Sequence, residues 1–306
     1  MRITTSMIQR NVLSDLNALS EKLAHTQARA SSGKQITRAS DDPFATAKAM
    51  GLRTSLSGTD QYVSNIDDAR GWQDSTEAAL ATINDYVSRA QSLLVQGSTD
   101  TADQTSRNAI ASEIDQLIDG IKESANATYG DKYLLSGTET AIPPYKLGAD
   151  DAYYGNEAGW DPAVPGVLRE IGPGVTLSIN SVAREVLGDG QAAGDGKLLN
   201  TLRDIADHLR SSDGASLRGN DVTNLQDDLN ALLDVRARNG ALTNRLEAAS
   251  TRMQQIQESV TKQLSETEDA DIAKTMIDFS SQSAAYQASL RAGANIVQAS
   301  LMDFLR

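Results

Sequence analysis

The 306-residue sequence contains no cysteine and only two histidines, His25 and His208. The first absence removes disulfides, thiolate nucleophiles and cysteine-ligated zinc together. The second leaves no histidine pair at metal-binding spacing and no histidine-based catalytic triad. Aromatic residues make up only 4% of the chain, too few large rings for a compact aromatic-rich globule. Proline is scarce and localised: five of the six lie between Pro143 and Pro173, which leaves the rest of the chain open to long helices. No stretch approaches the ~20 apolar residues needed to cross a bilayer. The first thirty residues lack a signal-peptide core, because Met7-Ile8 and Val12-Leu13 are cut short by polar neighbours. Cationic residues are outnumbered 28 to 41, for a formal charge of -13, which argues against a nucleic-acid footprint. Neither nucleic acid nor membrane is expected as a partner.

What the chain has instead is helical periodicity. Leu16, Leu19, Leu23, Thr26 and Ala30 step by three and four near the start. Ile272, Met276, Phe279, Ser283, Tyr286, Leu290, Gly293 and Val297 do so near the end, and Leu301 continues that seam. Such stripes lie along one helix face, which a lone helix cannot bury. The first helix is expected to stop at Gly33, and Asp42 with Pro43 to restart it as cap and first helical residue. From there Leu52, Thr59, Ile66, Gln73, Leu80, Val87 and Leu94 recur at seven over residues 43–96, with Gly71 as a candidate bend. Ile110, Ile114, Leu117, Ile118 and Ile121 mark another helix, and Tyr133 to Thr138 a short strand in a hairpin.

Twelve of the 22 glycines fall between Gly130 and Gly196, so continuous helix is excluded there, and Val175, Leu177 and Ile179 alternate as a half-buried strand would. Leu198, Leu202, Ile205 and Leu209 predict a short helix. A last long helix carries Leu225, Leu229, Leu232, Leu242, Leu246, Ala249, Met253, Ile256 and Val260. Its register slips between Val260 and Ile272, which marks a second joint. The expected fold is mainly α and nested. Residues 1–32 with 270–306 form a terminal coiled-coil layer, and 43–145 with 216–269 a helical rod with a β-hairpin. Joints at 33–42 and 261–271 connect them, and 146–215 form a small β-rich inserted domain.

Catalytic readings fare poorly. Gly188 to Lys197 has glycines and aspartates, but Gln191 and Leu198 break the phosphate-loop pattern and the calcium-loop ligands are absent. Asp41-Asp42 and the acids from Glu266 to Asp271 read as a helix cap and a solvated joint. No enzyme, cofactor or metal site is expected.

The run Ser31-Ser32-Gly33-Lys34-Gln35-Ile36-Thr37-Arg38-Ala39-Ser40-Asp41-Asp42-Pro43 closely resembles the flagellin superfamily. So do Asn65-Ile66-Asp67-Asp68-Ala69, Tyr133-Leu134-Leu135-Ser136-Gly137-Thr138 and Glu268-Asp269-Ala270-Asp271. Within it, the start Met1-Arg2-Ile3-Thr4-Thr5-Ser6-Met7-Ile8 and the end Ser300-Leu301-Met302-Asp303-Phe304-Leu305 are more similar to the hook-filament junction branch than to filament subunits. The resemblance implies an extracellular structural adaptor of the bacterial flagellum. Its partners would be further copies of itself in a ring, the first junction protein on the hook side, flagellin, and an export chaperone holding the C-terminal region. It also implies export, unfolded, through the flagellar type III channel without a cleaved signal. A filament subunit is the alternative, and a binding or enzymatic role for the inserted domain a remote one.

Overall fold

The computed structural model describes residues 5–99, 103–148, 150–158 and 166–304. Eight helices are present among them: α1 (Thr5–Ser32), α2 (Pro43–Gly97), α3 (Gln104–Ala125), α4 (Arg184–Leu187), α5 (Leu198–Ser211), α6 (Gly214–Arg218), α7 (Asn220–Glu268) and α8 (Ile272–Phe304). Two antiparallel hairpins complete the set, β1 (Thr128–Tyr129) with β2 (Lys132–Tyr133) and β3 (Leu168–Gly172) with β4 (Val175–Ser178). The mainly α fold read from the sequence is the one observed. The chain divides into a terminal unit, residues 1–58 with 256–306, and a central unit, residues 59–255.

The central unit holds the hydrophobic core. The seven-residue repeat of α2 explains why: Thr59, Ile66, Gln73, Leu80, Val87 and Leu94 are all buried. Ile110, Ile114, Ile118 and Ile121 of α3 face the same interior, and α5 packs on α3 through Leu202, Ile205 and Leu209. On α7, Leu225, Leu232, Leu246 and Met253 are buried as the periodicity requires, and Val235 and Asn239 fill the gap between Leu232 and Leu242. Residues 146–215, expected as a small β-rich inserted domain, contribute to this core through Ile171, Leu177, Ile179, Val186 and the α5 leucines. One hairpin of five- and four-residue strands cannot bury both of its faces alone, so it is held by the helices. The strand expected at Tyr133 to Thr138 is shorter. Pairing stops at Tyr133, and Ser136 makes a single bridge to Val182.

Gly71 has a different role from a bend. α2 runs unbroken through it, and a Cβ there would fall 2.5 Å from Tyr129 Oη. The glycine admits the Tyr129 ring, which meets Trp72 edge-on at 6.2 Å.

Two buried ionisable sites set the electrostatics of this unit. Lys122 on α3 is fully buried, and its Nζ donates to Asp151 Oδ1 at 3.0 Å and to the Asp150 carbonyl at 3.1 Å. Arg203 of α5 donates to Asp151 Oδ2 and to Asp115 Oδ1, each at 2.9 Å. Burial works to raise the Asp151 pKa, but the hydrogen bonds and charges of Arg203 and Lys122 outweigh it and hold the carboxyl below its ordinary value. The network ties α3 and α5 to the loop between them. On α7, Asp228 is 8% exposed, and one of its oxygens has no hydrogen-bond partner. Burial pushes its pKa up to about 6, against a hydrogen bond from Thr201 that lowers it.

Asp151→Asn is therefore expected to cost about 3 kcal/mol in urea unfolding, because it leaves a fully buried ammonium uncompensated. Asp228 acts in the opposite sense. With its folded pKa raised above the unfolded 3.8, the native state holds a proton that the unfolded state releases. Its contribution is full below about pH 4 and lost as pH rises through about 6. Asp228→Asn should raise stability at pH 7.5 by about 2 kcal/mol and flatten the stability profile between pH 4 and 6, read by thermal unfolding across pH.

Candidate assembly surfaces

The two joints of the terminal unit meet. α1 ends because Gly33 takes φ +70°, its N-H bonding back to the Arg29 carbonyl at 2.9 Å. Asp41 Oδ2 accepts from Arg38 N and the Thr37 hydroxyl, each at 3.0 Å, which folds the connector into a turn. Asp42 Oδ1 then accepts from Ala45 N at 2.9 Å with Pro43 as the first helical residue, a cap that starts α2. Across from it, α7 ends at Glu268, and Asp271 caps α8 by accepting from Lys274 N at 3.1 Å. Gln35 N donates to the Glu268 carbonyl at 2.7 Å and Ala270 N to the Gly33 carbonyl at 2.9 Å, with Lys34 opposite Asp269 in an antiparallel bridge.

The Glu268 carboxylate completes this clasp. Its residue is 6% exposed, and it binds Lys34 Nζ at 2.5 Å and the Arg53 guanidinium. A carboxylate that far from water needs both cations. Beside it opens a recess of about 310 Å³ lined by Ile36, Ala39, Ala49, Met50 and Arg38. The pattern reading placed the acids from Glu266 to Asp271 in a solvated joint. Glu268 departs from that because the two chain segments close over it.

Beyond the clasp α1 packs along α8. The Thr26 hydroxyl bonds Gln282 Oε1 at 2.8 Å, and a Cβ at Gly293 would come within 3.1 Å of Val12 Cγ1, so the helices run antiparallel and close together. On α8 the side turned away from water comprises Thr275, Phe279, Gln282, Ser283, Tyr286, Ser289 and Gly293, a line occupied largely by small or polar residues. Of the seam residues, Leu16, Leu19, Leu23, Phe279 and Tyr286 are half-buried at or beside this line. Ile272, Met276 and Leu290 are exposed at 49%, 57% and 45%. Val297 and Leu301 lie outside the described side chains. Thr26 falls in the N-terminal stripe by its spacing, whereas its partner Gln282 and Thr275 escape a hydrophobic pattern search, although 275, 282 and 289 keep the same seven-residue spacing.

The imbalance in burial is large. Among the described residues, the buried apolar side chains of the terminal unit are Ala49 and Val260. Of the sixteen exposed large apolar residues among those described, nine belong to that unit, Phe44 at 83% and Ile277 at 68% among them, although it holds only about a third of the chain. Exposed apolar side chains concentrated on this unit make it the candidate surface for binding other proteins.

Elsewhere the chemistry is structural. His208 Nδ1 lies 2.8 Å from Asp221 Oδ2, which joins α5 to the first turn of α7, and His25 is half-buried on α1. In the Gly188 to Lys197 loop, Asp195 accepts from the backbone N-H groups of Asp189 and Lys197, so its carboxylate organises turns. Among the described residues there is no cluster of three or more His, Asp or Glu side chains placed to hold a metal, and no helix long and apolar enough to cross a membrane.

Residues 3–140 match the model of the bacterial flagellin N-terminal helical region, and residues 222–305 match the bacterial flagellin C-terminal helical region. Flagellin of Bacillus subtilis is 28% identical over the full length of both chains. Flagellar hook-associated protein 3 of Escherichia coli is 27% identical over 95% of this chain and 96% of its own. A flagellin of Clostridium tyrobutyricum, 32% identical, matches 46% of this chain, which spans only 38% of that protein. Among solved structures, a putative flagellar hook-associated protein from Vibrio parahaemolyticus superposes over 75% of this chain and all of its own, with a TM-score of 0.63 and 21% identity. Both terminal segments and the helices flanking the central core thus carry the family pattern, and the chain belongs to the flagellin family of structural flagellar proteins.

Proposed function

We propose that this chain is a structural adaptor of the bacterial flagellum, placed between the hook and the flagellin filament, and that it performs no catalysis. The observation that carries the reading is the terminal unit's exposed apolar surface, borne on two long helices that bury almost nothing in one chain. Copies arranged side by side would cover Ile272, Met276, Ile277 and Leu290, and the same apolar residues would hold the hook-side junction protein and flagellin above and below. The near end-to-end correspondence with hook-associated protein 3 of Escherichia coli supports a junction position. The full-length match to Bacillus subtilis flagellin favours the second reading, a filament subunit.

In this account the assembly seam comprises Leu16, Leu19, Leu23, Ile272, Met276, Phe279, Tyr286, Leu290, Val297 and Leu301, and the clasp around Gly33, Asp42 and Pro43 sets where the seam begins. The chain reaches its place through the flagellar export channel, its C-terminal helix held by a chaperone until neighbours cover it. Ordering on assembly follows from the energetics, since the helices gain their apolar burial only when partners arrive.

Removal of the gene from the source bacterium should leave hooks without filaments and flagellin lost to the medium. Restoring the wild-type gene should rebuild filaments, whereas Ile277→Asp should be secreted normally, unfold within about 0.5 kcal/mol of wild type, and fail to rebuild them. Full-length filaments growing from this chain alone would instead establish it as the filament subunit.

A further inference from the structure

α2 and α7 run in opposite chain directions within the central unit, and three contacts set their register. Arg236 pairs with Glu77 at 2.5 Å, Asn239 Nδ2 donates to the Gln73 carbonyl at 3.2 Å, and Arg70 meets Glu247 at 3.6 Å. In this register Asp74 stands level with Arg238, Asp67 with Arg245 and Asp60 with Arg252. Each trio repeats at seven residues, about 10.5 Å of helix, and all six residues are exposed. Arg238 reaches Glu185 of its own chain. Asp67, Asp74, Arg245 and Arg252 form no ion pair among the described residues. The arginine stripe also flanks a groove of about 500 Å³, where Arg238 and Arg245 stand beside Leu177, Val182, Val235 and Leu242.

We propose that the acidic stripe of one copy docks against the arginine stripe and groove of the next, side by side and at the same height. The inference rests on the reading that copies of this chain assemble laterally. Charge complementarity selects the occupant. Two copies each carrying a charge of -13 repel unless basic surface meets acidic surface locally, and this chain presents both at the same spacing and level. Because the stripes run in opposite chain directions, a neighbour generated by rotation about an axis parallel to the helices sets each aspartate opposite an arginine. Different patches meet, so the contact is heterologous and propagates from copy to copy until a ring or helix forms. Exposed ion pairs contribute little affinity. Their part is to set register and orientation, while apolar surface provides the adhesion.

The absence of cysteine makes the test direct. Full chains carrying Asp74→Cys or Arg238→Cys are purified, mixed at low ionic strength and treated with a short bismaleimide. The mixture should give a covalent heterodimer, and neither variant alone should dimerise above background. In 0.5 M salt the yield should fall several-fold. Arg245→Glu added to the Arg238→Cys chain should lower it at least fivefold, and Asp67→Arg on the other chain should restore it. No heterodimer at low salt, equal homodimers from either variant alone, or indifference to the charge reversal would overturn the proposal. Bare hooks in the deletion strain with no heterodimer would sink this interface and leave the adaptor reading standing. Heterodimer together with intact filaments in that strain would do the reverse.

Discussion

Two helices packed side by side can cover one stripe each, and the terminal unit has more apolar surface than one stripe. α1 and α8 meet along a line that includes Thr26, Thr275, Gln282 and Gly293, where small and polar side chains bring the backbones close. That choice leaves Ile272, Met276, Ile277 and Leu290 facing water. A close polar seam inside the chain and an apolar surface outside it are complementary. The first holds the helices in register at little hydrophobic gain, and in the proposed assembly the second leaves most of that gain to neighbours. The clasp at Glu268 belongs to the same arrangement, because it fixes the connector, the start of α2 and the end of α7 together through one buried carboxylate and two cations.

The central unit is built on the opposite principle. Its six-position heptad on α2 is buried, its ion pairs lie partly inside, and Gly71 and Gly120 leave room for the rings of Tyr129 and Tyr86. Lys122, Asp151 and Arg203 tie α3 and α5 to a loop that would otherwise be exposed. Asp228, its carboxyl pKa raised by burial, works against stability at neutral pH. A unit with its own buried core, joined in sequence to one whose apolar side chains stay largely exposed, suits the assembly role proposed above.

Much of this was legible in the sequence because helical periodicity survives without tertiary information. The heptad from Thr59 to Leu94, the stop at Gly33, the cap at Asp42 and the break before Ile272 all follow local rules of burial and capping. What spacing and composition leave open depends on contacts distant in sequence. Gly71 looked like a weak point because Tyr129, 58 positions away, is invisible to helix propensity. Residues 146–215 read as an insertion because their glycines and prolines exclude continuous helix, and that composition says nothing of the core that receives Leu177 and Ile179. The α8 seam, with Ser283 and Gly293 among its apolar members, follows from spacing, and periodicity alone cannot tell a face turned to α1 from one turned to another molecule.

Hydrogen exchange on the free and the assembled chain tests the central claim most directly. The account predicts that amides of α1 and α8 exchange rapidly in the free chain and become at least a hundredfold slower on assembly, while those of α3, α5 and the middle of α2 are protected equally in both. Protection of α1 and α8 in the free chain equal to that in the assembly would contradict it.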